Sequence, residues 1–594
     1  MKMALDLNVR SFRKKLSKEF KINANRQGFH SCYERCANKQ LILDLYNSQN
    51  NEIIFGRRGT GKTTVLKGLS YYVNQMPHED ENFCYAIYID MEDIVPNKIE
   101  FASSQEDCSR EVYRLILFKI IERFYQFFDR ISQNNTYYNL VFYSPSEVEN
   151  IAEILLELDE TIQEGSTFLL NKESTDSSTQ ETIKSKKKEL MVSGSSQNRS
   201  LLANLSAAIK TSFAKTHTST VSISKKFEYT ININEIRKLF SSLLFHCKIE
   251  SLFLCFDEFT IVDKNISQSI QIDIAQLIKD TFFRDEHIIV KISSLWNQEK
   301  MQRRYFGTDR SGIELGNDIK SSVDLDEIFF NSALNAETFF AELLGNILLS
   351  NTDFYDYDNY FASVDCIVKQ KELSIDAGNA IISKLFKTRN AYCQMVCGSQ
   401  GIPRVFGNLI TSCIANTDKR NELQITFRDV QESIITNYLQ SVTKKLPEGL
   451  ELLHIIEEFI STYKTRFFLV DISDYKKIQY QIEGLVDANA IHQYPSANID
   501  RKIRHHYKLF LVHYGNYIEA LSKASSPIVP DFDKQFDSKL YPVLPEDLFS
   551  NPSKYQLAIT ESVFNQKLCT QCKRFYFSDE LTDNRCPNCN SALL

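Results

Sequence analysis

No stretch of the sequence approaches the ~18 to 20 uninterrupted apolar residues of a membrane-spanning helix, and its opening residues, MKMALDLNVRSFRKKLSKEF, are charged where a secretion signal would be apolar. Both absences point to a cytoplasmic chain with no membrane partner. An excess of positive charge is missing too: 69 Lys and Arg stand against 76 Asp and Glu, a formal net charge of −7. The whole-molecule field therefore repels phosphate, and contact with nucleic acid must come from local basic patches. There is no disulfide framework. Of fourteen cysteines ten are scattered, some in apolar runs (Cys84, Cys247, Cys255), and four stand together near the end of the chain. That is the usage of a reducing compartment with one metal site. No repeat of fixed period occurs, and 43% hydrophobic with 24% charged residues excludes global disorder. At 594 residues the chain is long enough for several domains.

What is present is alternation. The runs NEIIF, FCYAIYID, SLFLCF and HIIVKIS are strand-like and separated by long amphipathic helical stretches, which predicts an α/β fold with a parallel sheet covered by helices. Residues 165–226 are rich in Ser, Thr and Lys and read as a mobile insertion. Five of the twelve prolines (Pro527, Pro530, Pro542, Pro545, Pro552) fall within 524–556, which predicts an ordered but irregular connector.

The stretch Gly56-Arg57-Arg58-Gly59-Thr60-Gly61-Lys62-Thr63, followed by Thr64, fits the P-loop pattern G-x-x-x-x-G-K-[ST] between a predicted strand and a predicted helix. Glycines let backbone N–H groups turn toward phosphate oxygens, and the helix adds its positive end. Lys62 then reaches the β- and γ-phosphates of ATP, and the Thr63 hydroxyl ligates magnesium. SLFLCFDEFT supplies a second strand, expected beside the first, that ends in Asp257 and Glu258. Asp257 suits magnesium through water, and Glu258 suits polarisation of the attacking water. Beyond the next strand, Ser293 and Ser294 are candidates to sense the γ-phosphate, with Ser294 at its very end and Asn297 close behind.

GRRGTGKTT, CFDEF and GIPR, in that order, resemble the AAA+ ATPases, and among them the origin-recognition and initiator-like clade. The resemblance spans roughly residues 30 to 525. It implies a helical lid after the core, a second sensor on that lid at Arg404, and an arginine finger donated to a neighbouring subunit, for which Arg310 is preferred over Arg304 and Arg303. It also implies a homo-oligomer in the ATP state. Two features depart from the family pattern: about 190 residues separate the two Walker motifs, so the helices around 109–165 and the insertion are an elaboration, and the sensor strand lacks the usual Asn or Thr.

Residues 447–520 read as helix, strand, helix and two strands joined by a polar loop, the order of a winged helix. The loop, NIDRKIRHHYK, carries Arg501, Lys502, Arg504 and Lys508, and the preceding helix adds Lys476 and Lys477, a set suited to the DNA backbone. Finally, Cys569-x2-Cys572 and Cys586-x2-Cys589 have the spacing of a zinc ribbon, in which four thiolates hold Zn2+.

The resulting division is an N-terminal helical segment (1–48), an AAA+ core (49–330), a helical lid (331–440), a winged helix (445–525), a Pro-rich connector (526–565) and a zinc ribbon (566–594). The function expected is a prokaryotic-style ATP-hydrolysing switch that binds or remodels DNA and recruits partner proteins. Two alternatives stand beside it. One is a STAND-like signal-transduction or anti-phage defence ATPase that senses a protein or nucleic-acid trigger; the other is a slow ATPase that acts as an ATP-dependent assembly scaffold.

Overall fold

The structure is a computed structural model that describes residues 9–20, 27–75, 83–94, 105–133, 145–164, 232–259, 268–295, 312–314, 316–326, 333–349, 364–446, 450–494, 500–523, 544–569, 574–577 and 585–591. The Ser/Thr/Lys-rich segment, Asn297, Arg303, Arg304, Arg310 and Cys572 lie outside them. Helices α1 (Val9–Glu19), α2 (Phe29–Arg35) and α3 (Lys39–Asn47) precede strand β1 (Glu52–Phe55), and α4 (Lys62–Gln75) follows it. Next come β2 (Phe83–Asp90), the single turn α5 (Met91–Ile94), the long helices α6 (Gln105–Gln133) and α7 (Pro145–Glu164), then α8 (Ile233–His246), β3 (Ile249–Asp257), α9 (Gln268–Phe282), β4 (Ile288–Ser294) and β5 (Ser321–Asp324).

Five parallel strands form one sheet in the order β2-β3-β4-β1-β5, compatible with a P-loop fold. Side chains alternate between its faces: Ile53, Phe55, Ile87, Leu254 and Phe256 pack toward α6 to α9, while Ile54, Ala86, Phe253 and Cys255 pack toward α2 to α4. Cover on both faces is why these strands read as continuous apolar runs. Helices α6 and α7 belong to the main core, through Ile116, Ile120, Phe124, Leu155 and Leu158.

Contrary to the expectation from sequence, the strand carrying Asp257 is not the neighbour of the loop strand; β4 lies between them. A buried ion pair fixes this order. Lys291 of β4 stands opposite Glu52 of β1, and its Nζ donates to Glu52 Oε2 (2.6 Å), Ser48 Oγ (2.9 Å) and the Asn50 carbonyl (2.9 Å). Burial lowers the Lys291 pKa and the Glu52 carboxylate pushes it back. With β4 anywhere else, a charged lysine would lie in the sheet without its counter-ion, at a cost of several kcal/mol (about 3 to 5).

After the sheet come α10 (Ala333–Leu349), α11 (Val364–Leu385), α12 (Arg389–Ser399), α13 (Pro403–Lys419) and α14 (Phe427–Ser441), packed around Phe340, Leu344, Ile381, Met395 and Phe406. α1 docks on this bundle through buried Arg13, which donates to the carbonyls of Ile414 (3.1 Å), Glu422 (2.9 Å) and Leu423 (2.6 Å) and so satisfies the end of α13.

The C-terminal region runs α15 (Glu451–Tyr463), β6 (Phe467–Asp471), α16 (Ile472–Asp487), β7 (Ile491–Gln493), α17 (Arg501–His506), β8 (Tyr507–Val512) and α18 (Tyr514–Lys523). Its three strands are antiparallel in the order β6-β8-β7. α16 bends at Ile478 (φ −113°, ψ 17°), so it is two helical pieces. Two expectations are corrected here. The basic segment is a short helix, Arg501–His506, not an open loop, and the last apolar run ends as a strand at Val512, its remainder forming α18. Phe467, Leu469, Leu509 and Leu511 pack onto the helical bundle, while Phe468, Val470, Phe510 and Val512 pack toward α15 and α16. This sheet is thus shared between the bundle and the C-terminal helices.

From residue 544 the chain is irregular and packs closely: Leu548 and Tyr555 are buried, and the Leu557 N–H donates to the Leu469 carbonyl (2.8 Å). α19 (Glu561–Phe564) leads to the antiparallel pair β9 (Gln566–Leu568) and β10 (Phe575–Phe577). Among the described residues no helix is long and apolar enough to cross a membrane.

Helices α10 and α11 cross at two glycines. A Cβ on Gly345 would lie 1.8 Å from the Ser374 carbonyl oxygen, and one on Gly378 would lie 1.9 Å from that of Ala341. Since backbone cannot rotate away, Gly345→Ala should destabilise the bundle by about 1 to 3 kcal/mol, even against the ~1 kcal/mol helix-propensity gain of alanine. A thermal melt should show an earlier first transition; an unchanged or later one would contradict this crossing.

Candidate functional site

The glycine-rich turn between β1 and α4 needs glycine for conformation and for space. Gly59 (φ 89°) and Gly61 (φ 103°) are left-handed, and a Cβ on Gly59 would meet Arg404 Cβ at 2.8 Å. The loop therefore touches the first turn of α13, and the Arg404 side chain is exposed there. Lys62 is buried, and its Nζ donates to the carbonyls of Gly56 (2.8 Å) and Arg57 (3.1 Å). Burial lowers its pKa, opposed by Glu258, Asp326 and Asp257. Thr60 Oγ1 donates to the Arg57 carbonyl (2.9 Å), Thr63 is buried, Thr64 is half-buried and Arg58 is exposed.

Arg57 turns to the side of the loop. Its Nε donates to Asp326 Oδ1 (2.9 Å), just beyond β5, and its Nη2 donates to the carbonyl of Gln400 (2.6 Å), just beyond α12. Gln400 Oε1 in turn accepts from Nη2 of buried Arg466 (3.4 Å), which also donates to the Val512 carbonyl (3.1 Å).

Asp257 ends β3 and Glu258 follows it, at the same carboxyl end of the sheet as the loop. Asp257 is fully buried; it accepts from the Tyr88 hydroxyl at Oδ2 (2.7 Å) and from Ser293 Oγ at Oδ1 (2.5 Å). Glu258 has a left-handed backbone (φ 52°), a strained conformation costing roughly 1 to 3 kcal/mol, and its N–H is anchored on Ser293 Oγ (3.0 Å). Burial and then Asp257 raise its pKa, against Lys62 and Arg58. Asp90, opposite Asp257 at the end of β2, is pushed up to about 6, chiefly by burial. It is Ser293 that touches the Asp257 carboxylate; Ser294 Oγ donates to the neighbouring Leu295 carbonyl (3.1 Å). Tyr88 and Asp90 escaped the sequence reading, although their place at the carboxyl end of a parallel strand, where ligands bind, was a usable signal.

Beside Thr64 opens a largely apolar cavity of about 80 Å³, walled by Ala37, Leu41, Val65, Phe340, Leu343 and Pro403. Its walls come from five separate stretches of chain, which is why no local motif announces it.

The basic residues of the C-terminal region divide. Lys476 is exposed on α16 and Arg504 on α17, whose first residues are Arg501 and Lys502. Lys477 pairs with Asp474 (3.4 Å) and lies over the Phe564 ring, while Lys508 is half-buried in β8 with Nζ 3.6 Å from the Tyr475 ring centre. Further on, Cys569, Cys586 and Cys589 bring their sulfurs within 4.8 Å of one another, an arrangement that can hold a metal. Burial raises the Cys586 pKa, but hydrogen bonds with Tyr576 and the backbone around Cys589 outweigh this and bring it down to about 6. Leu568 and Phe575 insert into the core of the C-terminal region, so this short segment borrows a core that it cannot build alone.

No family model matches the chain, and no curated protein does. Among solved structures, one of Drosophila ORC bound to DNA aligns over 88% of this chain and 95% of that chain, at 10% identity and a TM-score of 0.26. At that distance the likeness carries no functional inference, which rests instead on the loop, the carboxylates and the cysteines.

Freshly purified, reduced protein should carry about one thiolate-bound metal per chain, and Cys586→Ser with Cys589→Ser should remove it. Elemental analysis that finds no metal would contradict the cluster.

Proposed function

We propose that this chain is a magnesium-dependent ATPase of AAA+ type and initiator-like build, whose C-terminal region contacts DNA. The carrying observation is the convergence of Lys62, Asp257 and Glu258 at the carboxyl end of a parallel sheet, close enough for both carboxylates to act on the lysine. Backbone N–H groups from Gly59 to Thr63 and the start of α4 face the phosphates. Lys62 exchanges its two carbonyl partners for phosphate oxygens, and Thr63 with Asp257 holds the metal. Magnesium held there would supply positive charge against the phosphates. Glu258, its pKa raised by burial and by Asp257, polarises the attacking water. The apolar cavity beside Thr64 suits the nucleotide base. Arg404 would add positive charge from the lid, and Arg310 would do so from a neighbouring copy.

The order α15, β6, bent α16, β7, α17, β8, with β8 central in its sheet, supports a winged helix. Exposed Lys476 and Arg504, with Arg501 and Lys502, form its phosphate-contacting set, whereas Lys508 serves packing. The three clustered thiols, with Cys572 completing the spacing, support a zinc ribbon that offers a surface for partner proteins.

Lys62→Ala should weaken ATP binding and abolish turnover together, because the lysine neutralises phosphate in ground and transition states alike. Glu258→Gln should keep binding and lose turnover by about 100-fold or more. Equal loss of affinity in both variants, by calorimetry, would overturn this division of roles.

Neutralising Arg501, Lys502 and Arg504 should flatten the salt dependence of duplex DNA affinity by roughly two to three units of log–log slope, at ~0.9 per phosphate contact. Basal ATP hydrolysis should persist. If wild-type protein shows no salt-sensitive DNA binding with ATP, ADP or neither, the C-terminal region docks protein instead, and the signalling alternative gains.

A further inference from the structure

Asp257 is gripped from the strands on both sides, by Ser293 of β4 at one oxygen and by Tyr88 of β2 at the other. Tyr88 lies on the same sheet face as Cys255, and its hydroxyl reaches along that face toward the strand end. The ring is itself held. Phe29 of α2 meets it edge-on with centroids 5.5 Å apart, and Lys67 of α4 places Nζ 5.3 Å from the Tyr88 ring centre and 5.8 Å from that of Phe29. The same Nζ donates to the Gln27 carbonyl (3.3 Å). A continuous stack thus runs from the segment before α2, through a lysine clasped by two rings, to the carboxylate proposed to face magnesium.

We propose that Tyr88 is a positioning residue for that metal: its hydroxyl fixes the Asp257 carboxylate for metal-bound water, and Phe29 with Lys67 locks the tyrosine ring, which ties metal affinity to the docking of the N-terminal segment. This rests on the magnesium–nucleotide reading. An ionised carboxylate has about four lone-pair sites; one hydroxyl on each oxygen leaves capacity on both while removing the rotation that would misplace them. Groups that orient metal-binding carboxylates in this way typically change metal affinity by about 10- to 100-fold when removed. A phenylalanine would fill the same volume, so the hydroxyl is separable from packing.

The test compares wild type, Tyr88→Phe and Phe29→Ala by calorimetry, titrating ATP without divalent metal and then Mg2+ into the ATP-loaded protein. Tyr88→Phe should leave metal-free ATP affinity unchanged and raise the Mg2+ concentration needed for half-saturation about tenfold or more. Phe29→Ala should shift it the same way by less. Identical Mg2+ requirements in wild type and Tyr88→Phe would overturn the inference while leaving the ATPase reading intact. Equal loss of ATP affinity with and without metal in Tyr88→Phe would also overturn it, since that marks a packing role. Wild-type protein that binds ATP with no response to Mg2+, or binds none, would overturn the reading on which the inference rests.

Discussion

Arg57 is the contact on which the arrangement of this molecule turns. One guanidinium, carried by the glycine-rich loop, pairs with Asp326 at the far edge of the sheet and donates to Gln400 at the foot of the helical bundle. The loop, the sheet edge and the bundle therefore share one fixed geometry. Breaking a buried pair of this kind costs about 3 to 5 kcal/mol, a large share of the stability of an ordinary domain. Gln400 extends the link, because its side chain takes a hydrogen bond from Arg466, which is bound to the end of β8. Nearby His492 and His513 are kept uncharged, chiefly by burial and also by the two arginines, with His513 pushed down to about 3. The junction therefore does not change its charge across neutral pH.

Mechanical consequences follow from the packing. The sheet of the C-terminal region presents Phe467, Leu469, Leu509 and Leu511 to the bundle and the alternate residues to its own helices. It is a shared layer, and Ile503 of the basic helix α17 is buried in the same core as the bundle. The glycine-rich loop and the basic helix α17 are joined by side chains and a common core rather than by a linker.

The features legible in the sequence are those encoded over short spans. Gly56 to Thr63, the apolar run ending in Asp257 and the paired cysteines each fit within a few residues, and the strands around them were recoverable because both sheet faces are buried. What stayed hidden depends on partners far along the chain. The insertion of β4 between β1 and β3 follows from Lys291 finding Glu52, 239 residues earlier. Tyr88 matters only because Asp257 lies 169 residues on, and Arg57 looked like a phosphate-facing loop residue until Asp326 and Gln400 claimed it. β5, with the sequence SSVD and no apolar run, offered no periodicity to read. In α17, a basic stretch resembled a loop because six residues with a single buried apolar side chain, Ile503, show no helical periodicity.

The most direct test of the central claim is an experimental structure with a non-hydrolysable ATP analogue and magnesium. Lys62 Nζ should have left the carbonyls of Gly56 and Arg57 for phosphate oxygens, with the base in the cavity between Leu41 and Phe340, while Arg57 stays on Asp326. An analogue bound elsewhere, or Lys62 unmoved on its two carbonyls with the loop empty at saturating ligand, would contradict it.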